Sequence, residues 1–369
     1  MHIVLDCRSI HSHMGGIGKA AWGLAEELGR HPRRHRITLI VGEHLPPEFR
    51  IRNVELVQVE AAMIDEHFEQ LGLPALLEDM NVDVYANTTF SIPALKTSPK
   101  QVAFVHDVVF EDHPEWVEPK LREYLSRWSR FSASHADRVV TVSKHAGNRI
   151  AEVYDIDHRR IRVIYNGLTP ESRSSPSPDR IAHARREQSL SMPYILYIGS
   201  IEPKKGIPEL LEAFSRLSRE ESNIDLALVG GAGGPAFDLH AAILKTGCPD
   251  RVRRLGYLPE EEKRALLAGS ALFVYPSHYE GFGLPPLEAM ALGVPCVVND
   301  ATSLPEVVGA HALRVDVRDA ERFAATLSRG LHDEAFRARA GLLAPRWAKK
   351  FTWQRAAGRF LDLCEELGK

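Results

Sequence analysis

The sequence predicts an α/β protein of two doubly wound domains, each a parallel sheet covered by helices on both faces, facing each other across a cleft. Three observations carry this. Short β-branched runs alternate with stretches of helical apolar spacing, the runs lack the polar alternation of a half-exposed strand, and the pattern breaks once and restarts. At about 150 residues per domain, 369 residues suit two or three domains.

In the first half IVL at 3–5, ITLIV at 37–41, VELVQV at 54–59, VDVY at 82–85, VAFV at 102–105 and VVTV at 139–142 read as strands. Between the first two, Ile17, Ala20, Ala21, Leu24, Ala25 and Leu28 fall on one helical face. After VIYNG at 163–167 comes a stretch rich in Ser, Pro and charge that reads as a linker over 171–192. Strands resume with YILYI at 194–198, LALV at 226–229, LFVY at 272–275, CVV at 296–298 and ALRV at 312–315, followed by helices over 319–332 and 334–350. The expected domains are 1–170 and 193–350, with a last helix in 351–369 folding back onto the first.

Composition narrows the function classes. With 44% hydrophobic and 26% charged residues the chain is ordinary globular protein. No run approaches the roughly 20 apolar residues of a membrane helix, and MHIVLDCRSI has no signal-peptide pattern. The expectation is a cytoplasmic protein, with room for peripheral contact at the inner face of the cell membrane. A net charge of −3 supplies no global field for nucleic acid. Cys7, Cys248, Cys296 and Cys364 lie far apart, without metal or redox spacing. Segment 116–138 mixes Trp116, Leu121, Leu125, Trp128 and Phe131 with Lys120, Arg122, Arg127, Arg130 and Arg138, a pattern that suits either an anionic lipid surface or packing on the protein's own sheet. RHPRRHR at 30–36 reads as a solvated helix end.

Ligands of open parallel sheets bind at the carboxyl ends of strands, so residues directly after strands carry the chemistry. Four segments qualify. Met14-Gly15-Gly16-Ile17-Gly18-Lys19 opens the first helix, where glycines let the main chain approach a phosphate; it is neither a P-loop, since His13 stands where glycine is required, nor a dinucleotide fingerprint. A tight turn explains it as well. Val105-His106-Asp107 ends a buried strand; His106 can meet a sugar hydroxyl or phosphate with Asp107 holding its ring, or both can satisfy loop backbone. Gly199-Ser200-Ile201-Glu202-Pro203-Lys204-Lys205-Gly206 places two lysines where a diphosphate could be neutralised, or forms a solvated basic turn. In Glu280-Gly281-Phe282-Gly283-Leu284-Pro285-Pro286-Leu287-Glu288 two glutamates bracket a glycine loop before a helix. Pro286 suits the first helical position, which makes Glu288 a first-turn, capping-box carboxylate on the plain reading. On the functional one, the loop amides hold an anion while the glutamates accept bonds from neutral hydroxyls, a pattern that fits a nucleotide-sugar.

The stretch EGFGLPPLE resembles the Glu-x7-Glu motif of the retaining glycosyltransferases of family 4, whose GT-B fold has two Rossmann-like domains. The resemblance runs along the chain through GGIG, the His-Asp after a strand, YNG, GSIEPKKG, VGG at 229–231, GYLPEEE at 256–262 and SLPEVVG at 303–309. It implies that Gly16 lies against the donor diphosphate, that His106 lies near the transferred sugar and that Lys205 binds the donor phosphates. It further implies that Glu280 contacts the sugar, with the main chain of Phe282, Gly283 and Leu284 beside sugar and phosphate, that Glu288 holds the ribose, and that Gly256 and Tyr257 meet the base. Many members carry arginine where this chain has Ser200, and Lys204 stands as the candidate replacement. The form of GSIEPKKG resembles bacterial O-antigen and exopolysaccharide mannosyltransferases. That makes GDP-mannose the first choice of donor, dTDP- and UDP-sugars the alternatives, and a glycan or lipid-linked glycan the acceptor. No Asp-x-Asp cluster follows a strand, so neither a metal nor another cofactor is expected and the cation must come from lysines and amides. A sugar-nucleotide epimerase, a nicotinamide dehydrogenase without the required fingerprint and a catalytically silent binding protein are the competing classes.

Overall fold

In the computed structural model the described residues are 1–12, 14–95, 97–233 and 237–369, so His13 lies outside them. The chain divides into two compact units, Met1–Gly167 with Phe351–Lys369, and Leu168–Lys350.

The first unit holds a seven-stranded parallel sheet of β1 (His2–Asp6), β2 (Arg36–Val41), β3 (Glu55–Gln58), β4 (Val84–Asn87), β5 (Lys100–Phe104), β6 (Arg138–Thr141) and β7 (Ile161–Val163), in the order β3-β2-β1-β4-β5-β6-β7. β1 and β4 are buried along their whole length, which is why residues 3–5 and 84–86 show no polar alternation. Helix Gly16–Arg30 buries Ala20, Ala21, Leu24, Ala25 and Leu28 against this sheet, the face its spacing predicts except at Ile17, which is half-buried against a separate cluster with Phe90 and Val105.

Helix Trp353–Leu367 closes the unit. Thr352 caps it by accepting the Arg355 N–H, and Trp353, Ala356, Phe360, Leu361 and Cys364 are buried with the first helix and the sheet. Gly23 and Gly167 make room for this: a Cβ on either would fall into the Trp353 indole or its main chain. The basic run at 30–36 differs from expectation. Arg33 pairs with Asp362 at 2.8 Å and with Glu365 at 2.9 Å, and His35 meets Glu365 at 3.0 Å, so two residues of the run tie the C-terminal helix down.

Helix Pro119–His135 buries Trp128, Ser129, Ser132 and Ala133, stacks Phe131 on His135 and pairs Arg127 with Glu123 at 2.9 Å. That half of the helix packs within the first unit, while Lys120, Leu121 and Arg122 stay exposed. Among the described residues no helix is long and apolar enough to cross a membrane.

The second unit repeats the plan with β8 (Tyr194–Ile198), β9 (Asp225–Val229), β10 (Val252–Gly256), β11 (Leu272–Tyr275), β12 (Cys296–Asn299) and β13 (Leu313–Val315), in the order β10-β9-β8-β11-β12-β13. β10 is an edge strand with two arginines, so its sequence carries little strand signal. The segment 171–192 is not an open linker. It contains helix Pro178–Glu187, capped by Ser177 and packed on helix Glu260–Ala268, with Gln188 Nε2 donating to Glu262 at 2.7 Å. Only Ala184 of that helix is buried, which is why composition alone misses it.

Replacing Trp353 with Ala removes the indole that Gly23 accommodates. The expected cost is about 3–5 kcal/mol in the first unit, read as a lower denaturant midpoint for probes of that unit, with second-unit probes unmoved.

Candidate functional site

Strand order reverses at β8, which pairs with β9 on one side and β11 on the other. Loops leaving β8 and β11 therefore depart to opposite faces and leave a crevice at the carboxyl ends. After β8, Tyr197 Oη donates to the Ser200 carbonyl at 2.7 Å and Ser200 Oγ donates to Glu202, a buried carboxylate. Lys204 Nζ lies 3.8 Å from Glu202. The chain makes one 3₁₀ turn, Pro203–Lys205, and enters helix Ile207–Glu220 through Gly206, whose φ of +71° and closeness to the Pro276 carbonyl leave no place for a Cβ.

After β11 the loop is fixed from the neighbouring strand end. Asn299 Nδ2 donates to the Ser277 carbonyl at 3.1 Å, the Glu280 N–H donates to Thr302 Oγ1 at 3.1 Å, and Ser303 Oγ reaches the carbonyls of Glu280 and Phe282, both at 2.9 Å. Gly283, at φ +106°, is the N-cap of helix Leu284–Ala291. That start is earlier than expected. Pro285 and Pro286 both lie in the first turn, Glu288 falls in the second, and the first turn holds no acid. Glu288 is therefore not a capping-box carboxylate, since that role belongs to the third helical residue, which here is Pro286.

These two loops bring Lys205 and Glu280 together. Lys205 Nζ lies 2.6 Å from Glu280 Oε1, with the side chains 14% and 13% exposed. Burial pushes the Glu280 pKa up, but Lys205, with Ser277 and Tyr275 adding hydrogen bonds, outweighs it and holds the carboxyl below its ordinary value. Burial likewise pulls Lys205 down, and Glu280 followed by Tyr197 overrides it, leaving the ammonium above the usual lysine value. Both groups are charged at neutral pH. On the same edge of the sheet, Gly256 ends β10 at φ +70° with its carbonyl accepting the Gly230 N–H at 2.8 Å, and Tyr257 is 75% exposed. Phe282 is buried, and its carbonyl accepts from Ser303 Oγ.

The remaining two expected residues belong to the first unit. Gly16 opens helix Gly16–Arg30, and a Cβ on it or on Gly15 would meet nothing within 4 Å. His106 follows β5 with its ring buried against Phe90. Its Nε2 donates to the Thr88 carbonyl at 2.9 Å, which leaves Nδ1 as the acceptor in the neutral ring. Burial lowers the His106 pKa against the opposing pull of Thr88 and Asp107, so the ring is uncharged at pH 7. Asp107 accepts the Val109 N–H at 3.0 Å, and the ring is held from Thr88.

Sequence reasoning gave no role to Thr302, Ser303, Asn299 or His278. SLPEVVG was visible as a motif, but that Ser303 would hold the Glu280 loop depends on β12 lying next to β11.

Residues 14–172 match the family model described as Glycosyltransferase Family 4, and residues 180–347 the one described as Glycosyl transferases group 1. An O-antigen chain mannosyltransferase B of Escherichia coli is 33% identical over 282 residues, covering 75% of this chain and 73% of the relative. The chain belongs to the family 4 glycosyltransferases. This glycosyltransferase is also 25% identical to the serotype-specific mannosyltransferase WbdA of Escherichia coli over 97% of its own length, which spans 47% of that larger protein. Its fold is GT-B. Among solved structures, sucrose-phosphate synthase of Thermosynechococcus elongatus superposes with a TM-score of 0.79 at 20% identity, covering 100% of this chain and 99% of the other.

Glu280 is depressed, so its contribution to stability is present above an ordinary carboxyl pKa and is lost as pH falls through the folded value. Lys205 is raised, so its contribution is present below an ordinary lysine pKa and is lost as pH rises through the folded value. The pair thus stabilises the second unit between about pH 5 and pH 10. Glu280→Gln or Lys205→Met each leaves one buried charge unpaired and is expected to cost about 3 kcal/mol at pH 7. The double variant should cost less than the sum of the two, and denaturant melts of all four proteins measure this; strict additivity would show that the groups are not coupled.

Proposed function

We propose that this glycosyltransferase moves a hexose, with mannose from GDP-mannose as first choice, to a glycan or lipid-linked glycan acceptor in bacterial surface polysaccharide synthesis. The reading includes retention of anomeric configuration and no requirement for a metal. The observation that carries it is the Lys205–Glu280 pair in the crevice beside β8: a cation suited to a diphosphate and an acceptor suited to sugar hydroxyls, 2.6 Å apart at the foot of a glycine loop. The mannosyltransferase name of the 33% identical relative supports the choice of sugar.

On this reading the donor divides the pair. Lys205 turns to the phosphates and Glu280 accepts sugar hydroxyls, so a cation and an anion that satisfied each other are satisfied by the ligand. The Gly283 and Leu284 amides, with Phe282 main chain, lie beside the sugar and phosphates at the positive end of helix Leu284–Ala291. Glu288 takes the ribose and Gly256–Tyr257 the base. Ser200 leaves room where relatives place arginine, and Lys204, held near Glu202, supplies the second cation. From the first unit the assignment gives Gly16 main chain to the diphosphate and His106 Nδ1 to the transferred sugar.

As the sugar leaves, negative charge grows on the diphosphate. One charge-assisted contact in a water-poor site is worth about 2.7–4 kcal/mol, or roughly 10²–10³ in rate. On this reading Lys205 supplies that contact.

A thermal-shift panel of GDP-mannose, UDP-glucose and dTDP-rhamnose is the direct test. A true donor near 100 times its Kd adds about 2.7 kcal/mol by mass action. GDP-mannose is expected to raise Tm most and, with acceptor, to give a sugar-linked product. An epimerised nucleotide with no acceptor-linked product would favour the epimerase class, and no shift with any of the three would overturn the proposal.

A further inference from the structure

We propose that His278 is a positioning residue of the donor site, the clamp that sets the Glu280 loop against the turn bearing Lys205; this rests on the functional reading above for its kinetic consequence only. Alternate residues of the segment leaving β11 face the turn leaving β8. The Pro276 carbonyl closes over Gly206. Two residues on, the His278 N–H donates to the Lys204 carbonyl at 2.9 Å and the ring Nε2 donates to Glu209 Oε1 at 2.9 Å. Two further on, Glu280 meets Lys205. Glu209 is the third residue of helix Ile207–Glu220, so the ring ties the loop to the rigid element that begins immediately after Lys205 and Gly206.

The main-chain bond of His278 to Lys204 and its ring bond to Glu209 differ in what they ask of the side chain. Its main-chain bond to Lys204 is available to any residue but proline. The bond to Glu209 needs a donor at the reach of Nε2. Burial works against ionisation of Glu209, but the His278 hydrogen bond and its own main-chain amide outweigh it and hold the carboxyl below its usual value, a ready acceptor. The side chains of His278 and Glu209 are 18% and 28% exposed, sheltered enough for the bond to persist and outside the groups assigned to the donor. Without it, the segment from Ser277 to Glu280 keeps its ties to Asn299, Thr302 and Ser303 on one side and loses its side-chain anchor to the helix on the other. Glu280 and Lys205 would then be free to drift apart, and small displacements of catalytic groups are costly in rate.

The variants are His278→Gln, whose amide reaches the Nε2 position, His278→Asn, which is too short, and His278→Leu, which fills space without donating. In the full chain, hydrogen exchange of 276–283 and steady-state kinetics with the donor that wild type accepts are measured together. Leu and Asn are expected to speed exchange in 276–283 and to lower kcat/KM by about ten- to a hundredfold, while Gln keeps both near wild type. Wild-type exchange and kinetics in His278→Leu, or His278→Gln as impaired as His278→Leu, would overturn the clamp. A wild type that turns over no donor would instead sink the functional reading, with the exchange measurements still deciding the clamp.

Discussion

The site depends on the reversal of strand order at β8. Because β8 lies between β9 and β11, the carboxyl ends of strands far apart in sequence become neighbours, and Lys205 and Glu280, 75 residues apart, form one ion pair. Residues around them serve that adjacency. Gly206 lets the turn pass under Pro276, Gly283 starts a helix from a left-handed conformation, and Asn299 and Ser303 hold the loop from β12. A buried pair is a weak source of stability, since desolvation consumes much of the attraction. On the proposed function, its value lies in keeping two opposite charges fixed in a sheltered place where a ligand bearing both kinds of partner can replace them.

The first unit makes the comparison sharp. Its sheet has the same reversal at β1, between β2 and β4, yet that point is filled by the protein's own charges. Arg8 forks onto Asp6 at 2.8 and 2.9 Å and bridges to Glu69 at 3.2 Å. Tyr85 donates to Asp6 and Tyr124 to Glu69. The Asp6 and Arg8 side chains are fully buried. These bonds tie the end of β1 to Glu69 and, through Tyr124, to helix Pro119–His135. Two sheets of one topology thus differ in what their loops carry, which is where function separates from fold.

Much of the architecture was legible because its causes are local. β-branched runs buried on both faces gave the strands, and 3.6-residue spacing gave the face of helix Gly16–Arg30. Where the local signal was faint, the reading failed in understandable ways. Helix Pro178–Glu187 rests on one buried alanine and capping by Ser177, so its composition resembles a linker. Arg33 and His35 read as solvated because their carboxylate partners lie on the last helix, some 330 residues later. Helix Leu284–Ala291 begins before its prolines because Gly283, at positive φ, can serve as N-cap; a side chain at that angle would be strained.

The sequence by itself determined which chemistries were at hand: paired lysines after one strand, paired glutamates around a glycine loop after another, and an order of motifs that marks a family. Those properties are carried by residue type and short spacing. Tertiary structure alone decided that Lys205 answers Glu280, that His278 bridges to Glu209, and that Ser303 holds two carbonyls of the loop before it. Each of these bonds joins segments that follow different strands. Which strand ends meet is set by sheet order, a global balance of buried surface that no short stretch of sequence encodes.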